Sequence, residues 1–353
     1  MRKYYPNYSI GTDAYADIPM VCEKYGTKAV IIGGTHALAA AADLIKEAVA
    51  DSNIMITGVF EYGGEASREH IDELNSHQEV IDADMIFACG GGKAIDTCKV
   101  LSQESNRPFF TFPTIASTCA SCTSLGIIYH PDGSLREYSF QEKPSEWIFI
   151  NTQVIANAPE KYLWAGIGDT MAKFYECTTS ARGDNDLDHS TSMGVQISNL
   201  CAKPLVKYAL EECRNHAPGK ALEEVILGII VSTGFVSNLV GIDLNTGLAH
   251  ACYNGFTVCK STEEHGHLHG EIVAYCILIL LKVDHQEEEF KKIYEFSKNM
   301  GFPVKLADIH ATIDDMDAVI TKALSGIDVR VWPYEVTPDM ILDAVKEIEQ
   351  VAL

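Results

Sequence analysis

The feature that most constrains the fold is a glycine turn between a strand pattern and a helix pattern. Met85–Cys89 is short and apolar throughout, which is typical of a strand buried in a parallel sheet. Gly90, Gly91 and Gly92 follow, and the apolar residues of 94–101 then recur at helical spacing. Glycines allow close backbone approach, and the free N–H groups of a helix's first turn attract anions such as a diphosphate. Lys93 adds a positive charge, although a glycine turn without any ligand has the same pattern.

The first half of the chain alternates strand and helix patterns around this turn. Predicted strands are Lys28–Gly33, Ile54–Phe60, Met85–Cys89, Phe109–Phe112 and Trp147–Ile150, and predicted helices are Ala37–Val49 and Ser67–Ser76. A hairpin is predicted from Leu125–Tyr129 through a Pro-Asp-Gly turn. The alternation implies a parallel sheet covered on both faces. We therefore predict a Rossmann-like α/β domain over residues 1–159.

The second half of the chain, residues 160–353, loses the strand patterns. Long amphipathic segments replace them, at Tyr162–Ser180, Asp188–Asn215, Gly219–Leu239, Glu271–Val283 and Gln286–Met300. We predict an all-α helical domain here. No linker composition marks the boundary, so the change of pattern places it.

Charge and cysteine content limit the classes of partner and compartment. Lys and Arg number 27 against 49 Asp and Glu, so the net charge of -22 repels nucleic acid and anionic membranes, and neither is expected as a partner. The longest apolar run, Ile272–Leu281, is too short to span a bilayer. The 11 scattered cysteines predict reduced thiols in a cytoplasmic protein.

Three residues of the helical half form a candidate metal site. Asp169 follows a Gly-Ile-Gly segment, His250 lies in GLAHACYNGF, and His269 lies in HGHLHGE. One carboxylate and two imidazoles leave a coordination position open, as in catalytic divalent-metal sites.

Each of these residues also has a purely structural interpretation. Asp169 is suited to capping a helix, and His250 lies between alanines like a hydrogen-bonded core histidine. The histidines of 265–269 fit a solvated loop. Glu176 falls two helical turns after Asp169, which a surface ion pair also explains.

Five segments in order resemble the glycerol dehydrogenase branch of the iron-containing (group III) alcohol dehydrogenase family. They are GGGKAIDTCK, FPTIAST followed by LGIIY, GIGDTMAK, GLAHACYNGFT and LHGEIVAY. The resemblance covers essentially the whole chain. It implies a dehydroquinate synthase-like fold, with a dinucleotide-binding domain over residues 1–159 and a helical metal-binding domain over residues 160–353. It also implies a homo-oligomer.

The resemblance also implies roles for individual residues. Asp169, His250 and His269 are the implied ligands of a metal, which is usually zinc in this branch and iron in relatives with a third histidine. The implied contacts of NAD or NADP are Gly92, Lys93, Thr114, Ser117, Thr123, Leu125 and Tyr129. Gly90 and Gly91 of the glycine turn and Gly34 after the first predicted strand complete the predicted cofactor site.

The implied activity is hydride transfer between NAD(P) and a small polyol or secondary alcohol. A divalent cation lowers the pKa of an alcohol hydroxyl, so no separate carboxylate base is required. One alternative is a hydroxycarboxylate dehydrogenase that reduces 2-oxo acids. Another is a dehydroquinate-synthase-like lyase, which needs a Lys and Arg cluster where the segments around His250 and His269 offer only Lys260.

Two positions depart from the branch's pattern. Gly34 stands where the family often has Asp, which would repel a 2′-phosphate, so we expect NADP to be accepted beside NAD. Cys119 stands where glycerol dehydrogenases have an Asp that holds glycerol, so we place Cys119 in the substrate pocket. A thiol is a weak hydrogen-bonding group, and we therefore expect glycerol to be a poorer substrate than less polar diols or hydroxy and oxo acids.

Overall fold

The structure is a computed structural model that describes residues 4–183, 186–215 and 217–352. The chain forms two compact units, of which one comprises Met1–Tyr162 with His216–Asn238 and the other Leu163–Asn215 with Leu239–Leu353. The predicted boundary at residue 159 lies close to the first change of unit. The return of residues 216–238 to the first unit has no counterpart in the prediction, because their helical pattern resembles that of the segments around them.

The first unit contains a six-stranded parallel sheet and a separate antiparallel hairpin. The strands are β1 (Asn7–Gly11), β2 (Lys28–Gly33), β3 (Met55–Glu61), β4 (Met85–Gly90), β5 (Phe109–Pro113), β6 (Leu125–Tyr129), β7 (Leu135–Phe140) and β8 (Trp147–Asn151). The sheet has the order β1-β8-β5-β4-β2-β3, and β6 pairs with β7 in the hairpin. The predicted α/β parallel-sheet domain is confirmed.

Helices follow in both units, and the second unit is helical among the described residues. They are α1 (Ile18–Cys22), α2 (Thr35–Val49), α3 (Arg68–Leu74), α4 (Gln78–Ile81), α5 (Gly92–Ser105), α6 (Thr152–Ala156), α7 (Glu160–Ala181), α8 (His189–Ile197), α9 (Lys203–Asn215), α10 (Lys220–Ile226), α11 (Thr233–Leu239), α12 (Ile242–Asn245), α13 (Leu248–Phe256), α14 (Lys260–Glu264), α15 (His269–Val283), α16 (Glu287–Met300), α17 (Met316–Leu324) and α18 (Pro338–Gln350). The predicted helical domain is confirmed as well.

The sheet is buried on both faces because its strands are apolar at successive positions. Every residue of β4 is buried. Phe87 joins a core cluster that includes Ile45 of α2, whereas Ile86 joins a cluster that includes Leu101 of α5. Helices therefore cover the two faces, and the glycine turn connects the central strand β4 to one of these helices.

None of the ten described cysteines is joined to another of them by a disulfide, and nine of the ten are buried. The remaining one, Cys119, is partly exposed.

One helix, Lys220–Leu239, is long and apolar enough to cross a membrane by length and composition alone. It consists of α10, a π-helical segment over Leu227–Ser232, and α11. Of its apolar window, 61% is buried inside the protein, and a core helix of a soluble protein passes the same test, so the finding is weak evidence for a membrane span.

Candidate active site

The sheet order creates a crevice between β2 and β4. The chain runs from β2 outward to β3 and then returns to place β4 on the other side of β2. The connection after β2 therefore leads to one side of the sheet, and the connection after β4 leads to the other side. Such a divergence opens a crevice at the carboxyl ends of the two strands, where open α/β sheets bind ligands. Both strands end here in glycine turns, at Gly33–Gly34 and Gly90–Gly92.

These two turns lie against each other and require glycine. A Cβ on Gly33 would lie 2.3 Å from the backbone oxygen of Cys89. Gly90 has φ +149°, and a Cβ there would lie 3.1 Å from Cβ of Ala94 and 3.5 Å from Cβ of Ala37. Side chains are therefore excluded from this edge, which leaves a backbone-lined cradle.

The helix after the second turn begins without a side-chain cap. Gly91 is the N-cap residue of α5, so the first-turn N–H groups remain available to an anion. The ammonium of Lys93 lies 2.7 Å from Oε2 of Glu65 and 5.5 Å from the ring centroid of Tyr129. Lys93 must exchange this carboxylate for a phosphate if it binds a dinucleotide.

Other predicted cofactor contacts lie along the same edge. Gly34 caps α2 in an extended conformation, and a Cβ there would lie 3.3 Å from the ring of Tyr62. The N–H of Thr114 donates to the carbonyl of Gly90 at 3.4 Å. Ser117 follows in the connection after β5 and is partly exposed. The structure thus brings the glycines and Thr114 together at the carboxyl ends of β2, β4 and β5.

Thr123 and Leu125 are held by a lysine that the sequence analysis missed. The fully buried ammonium of Lys99 donates to Thr123 Oγ1 at 3.1 Å, to the Leu125 carbonyl at 2.6 Å and to Asp96 Oδ1 at 2.8 Å. The other Asp96 oxygen accepts from the N–H of Ile127 at 3.1 Å. Burial raises the pKa of Asp96, and the Lys99 charge opposes this. Asp96 and Lys99 therefore brace α5 against β6.

The two neighbouring thiols of this region differ in environment. Cys119 is partly exposed, whereas Cys122 is buried and its Sγ lies 3.8 Å from the carbonyl of Val231. Burial raises the pKa of Cys122 well above its ordinary value. Cys122 is therefore a core thiol, and Cys119 alone of the pair is open to a ligand.

The three candidate metal ligands converge in the second unit, on α7, α13 and α15. Oδ1 of Asp169 lies 3.3 Å from Nε2 of His250 and 3.2 Å from Nε2 of His269. One ligand atom from each residue lies within 4.8 Å of the other two. A carboxylate oxygen with two imidazole nitrogens is a donor set that suits zinc or iron.

Glycines allow the helices that carry these residues to meet. A Cβ on Gly168 would lie 2.2 Å from the oxygen of Gly270, and one on Gly270 would lie 1.8 Å from the oxygen of Ala165. Helices α7 and α15 therefore cross at backbone contact, which places Asp169 beside His269. The glycines next to both residues were the sequence signal for this crossing.

Neighbouring side chains fix the two imidazoles. Glu176 is fully buried, and its two oxygens lie 2.7 Å from Nδ1 and 2.7 Å from the backbone nitrogen of His250. The sequence analysis left open whether Glu176 belongs to the site or to a surface ion pair; it contacts His250, because it lies on the same face of α7 as Asp169. The ring of Tyr253 packs edge-on against His269, with 4.1 Å between centroids.

The electrostatics of the cluster favour a cation. Burial raises the pKa of Asp169, but the two imidazoles outweigh it and hold this pKa well below the ordinary value. Burial likewise lowers the pKa of His250, but Glu176 and Asp169 raise it to about 10. Two carboxylates thus concentrate negative charge around the imidazoles, and a metal bound there would displace the proton of His250.

The structural interpretations of these residues can now be judged. Asp169 lies within α7 and does not cap it. His265 stacks on His310 at 3.6 Å between centroids, and its Nδ1 lies 2.7 Å from the Ser261 carbonyl. His267 lies 2.8 Å from His310, so neither His265 nor His267 joins the cluster.

Comparison with known proteins identifies relatives over most of the chain. Residues 6–146 match the family model of iron-containing alcohol dehydrogenases. A glycerol dehydrogenase of Thermotoga maritima is 32% identical over 252 residues, covering 70% of this chain and 68% of its own. Hydroxycarboxylate dehydrogenase A of Escherichia coli is 30% identical over 295 residues, covering 82% and 81%. The crystal structure of glycerol dehydrogenase from Schizosaccharomyces pombe superposes with a TM-score of 0.86 at 27% identity, covering 99% of this chain and 90% of that one.

Proposed function

The chain belongs to the iron-containing alcohol dehydrogenase family, in its glycerol dehydrogenase branch, and from this we propose that it oxidises the CH–OH group of a polyol or secondary alcohol with NAD and a divalent metal. The observation that carries the proposal is the convergence of the Asp169 carboxylate with Nε2 of His250 and Nε2 of His269.

The residues of the cluster fit a metal by their chemistry. Asp169 supplies a carboxylate oxygen, and the two histidines supply imidazole nitrogens whose orientation Glu176 and Tyr253 fix. Three protein ligands leave a position for a substrate oxygen. We infer zinc as the metal, because zinc is the usual ion of this branch and the donor set suits it.

The residues of the first unit fit a dinucleotide. A Cβ on Gly33 or Gly91 would collide with neighbouring protein atoms, which keeps side chains off these positions, and the uncapped start of α5 offers N–H groups to a pyrophosphate. Lys93 supplies a charge once it leaves Glu65. Gly34 puts no carboxylate beside the ribose, so we propose that NADP is used as well as NAD.

In this reaction the chain's own residues would bind the metal and orient the substrate. A metal at the cluster would supply a Lewis acid that lowers the pKa of a substrate hydroxyl, and a bound dinucleotide would supply the nicotinamide ring that accepts the hydride. Asp169 and His269 fix the position at which a substrate oxygen would bind. The His269 side chain is 42% exposed, so a substrate can reach this position from solvent. Glu176 accepts hydrogen bonds from His250 throughout and does not enter the substrate site.

The first prediction tests the reaction itself. Metal-reconstituted protein should produce NADH when an alcohol and NAD are added, and Asp169→Asn should remove most of this activity because it loses an anionic ligand. The measurement is steady-state absorbance of NADH over a set of polyols, diols and hydroxy acids with each cofactor. Bound metal with no net NADH on any alcohol would favour a lyase that recycles its cofactor.

The second prediction concerns the choice of substrate. Cys119 favours a substrate that is less hydrated than glycerol or that carries a negative charge. A carboxylate accepts hydrogen bonds from two hydroxyls of glycerol, whereas a thiol does so weakly, and an unmet buried hydroxyl costs about 1–3 kcal/mol. The relative named hydroxycarboxylate dehydrogenase A supports oxo acids as the second candidate class.

Cys119→Asp is the variant for this test. It should raise kcat/KM for glycerol and lower it for 2-oxo acids, because a negative charge enters the pocket. Cys122→Ser is the matched control, since it alters a buried thiol of the same segment. Wild-type protein that already uses glycerol as well as its best other substrate would contradict the hypothesis.

A further inference from the structure

We propose that Glu176 is a positioning residue that fixes His250 in the tautomer able to bind metal and at the same time caps helix α13. This inference rests on the proposed metal site.

The burial of Glu176 requires an explanation. Its side chain is fully buried, and a buried carboxylate is costly unless hydrogen bonds and charges compensate it. Among the described residues, no lysine or arginine forms an ion pair with it. Both oxygens are instead directed at one residue, with Oε1 2.7 Å from the backbone nitrogen of His250 and Oε2 2.7 Å from its Nδ1.

The first of these bonds caps a helix. Gly247 is the N-cap of α13 and has no side chain to accept from the first-turn N–H groups. Glu176 reaches across from α7 and accepts from the N–H of His250, in the first turn of α13. A Cβ on Gly247 would lie 3.1 Å from Cβ and Cγ of Glu176, so glycine at this place leaves the room that Glu176 occupies. The positive end of the helix dipole further stabilises the carboxylate.

The second bond sets the tautomer of His250. A carboxylate only accepts hydrogen bonds, so Nδ1 of His250 must carry the hydrogen. The neutral ring then has its lone pair on Nε2, the nitrogen that lies 3.3 Å from Oδ1 of Asp169. Glu176 thus directs the metal-binding nitrogen into the cluster, in the way that outer carboxylates orient metal-bound histidines.

Glutamine at position 176 has nearly the same shape but cannot do both tasks. If its oxygen accepts from the backbone N–H of His250, its NH₂ group faces Nδ1, and the ring hydrogen moves to Nε2. If its oxygen accepts from Nδ1–H, its NH₂ group opposes the backbone N–H and the cap is lost. Either arrangement weakens the metal site without removing a ligand.

The test is the dissociation constant for Zn²⁺ of the full chain, measured by competition with a chelator. Glu176→Gln should weaken binding about 10- to 100-fold, the usual effect of losing such a partner. Glu289→Gln is the control, because Glu289 accepts a hydrogen bond from the Tyr175 hydroxyl and not from a ligand of the cluster. It should bind Zn²⁺ as the parent does.

A second measurement needs no variant at position 176. In the zinc-loaded parent labelled with ¹⁵N-histidine, His250 should show hydrogen on Nδ1 and metal on Nε2, assigned with His250→Asn. Metal on Nδ1, or parental zinc affinity in Glu176→Gln, overturns the inference while leaving the proposed function intact. A parent that binds no divalent ion overturns both.

Discussion

At the scale of single residues, His269 is the most open member of the metal cluster. Its side chain is 42% exposed, against 15% for His250 and 21% for Asp169. It is also the first residue of α15, so its imidazole adds little to the packed core. Removing the His269 imidazole should therefore remove a metal ligand without unfolding the protein.

We expect His269→Ala to lose bound metal and most activity while its circular dichroism stays that of the parent. His265→Ala is the control, because His265 stacks on His310 outside the cluster and its removal should leave the metal in place. Elemental analysis of the purified proteins gives the metal content. One metal ion per chain in His269→Ala would show that the ligand set is wrong.

The residues of the candidate site differ in how far the sequence could predict them. Asp169, His250 and His269 lie in separate motifs, and their side-chain types made them candidates before any contact was known. The sequence analysis assigned Lys99 no role and left that of Glu176 open, because a sequence does not show which charged side chain is buried or what it contacts. Asp96 and Lys99 fall three residues apart on α5, a spacing equally typical of an exposed ion pair.

At the scale of elements, the turn between β4 and α5 carries the predicted cofactor site. A Cβ on Gly91 would lie 2.7 Å from Cδ1 of Ile115, and a branched side chain would also cover the start of α5. We expect Gly91→Val to weaken NAD binding by about 1.5–3 kcal/mol, the worth of a hydrogen bond to a charged group.

The control for this prediction is Gly241→Val. Gly241 is likewise a helix N-cap in an extended conformation, and a Cβ there meets nothing within 4 Å. Fluorescence titration with NADH measures both variants. Equal affinity in Gly91→Val and the parent would mean that the pyrophosphate binds elsewhere.

The sequence predicted the bounds of elements whose hydrophobic pattern is continuous, and it missed elements or breaks where that pattern is irregular. Strand β2 has the predicted bounds, because its apolar run is buried on both faces. Strand β1 was missed, since an edge strand that is partly exposed lacks a continuous apolar pattern. The predicted helix over 188–215 is interrupted by a 3₁₀ turn at Ser198–Cys201, where the apolar spacing gives no warning of a break.

At the scale of the whole molecule, the sheet of the first unit ends in two edge strands, β1 and β3. Tyr8 on β1 and Met55 and Val59 on β3 are exposed apolar side chains. Exposed apolar strand edges invite pairing with another chain, and the net charge of -22 opposes unspecific association. From these features and the resemblance described above, we propose that the chain forms a homo-oligomer.

Light scattering should therefore give a solution mass that is a multiple of 38.7 kDa. Added salt should preserve or increase the assembly, because it screens the repulsion between acidic chains. A single-chain mass at high protein concentration and physiological salt would exclude the homo-oligomer.

The distribution of cysteines has a practical consequence for labelling. Burial raises the pKa of Cys89 and of Cys252 to about 12, so these thiols stay protonated and shielded at neutral pH. Among the cysteines whose surroundings are described, Cys119 alone is within reach of an alkylating reagent. A fluorophore or spin label attached at Cys119 would lie at the position proposed to meet the substrate, and it would report directly on what enters that pocket.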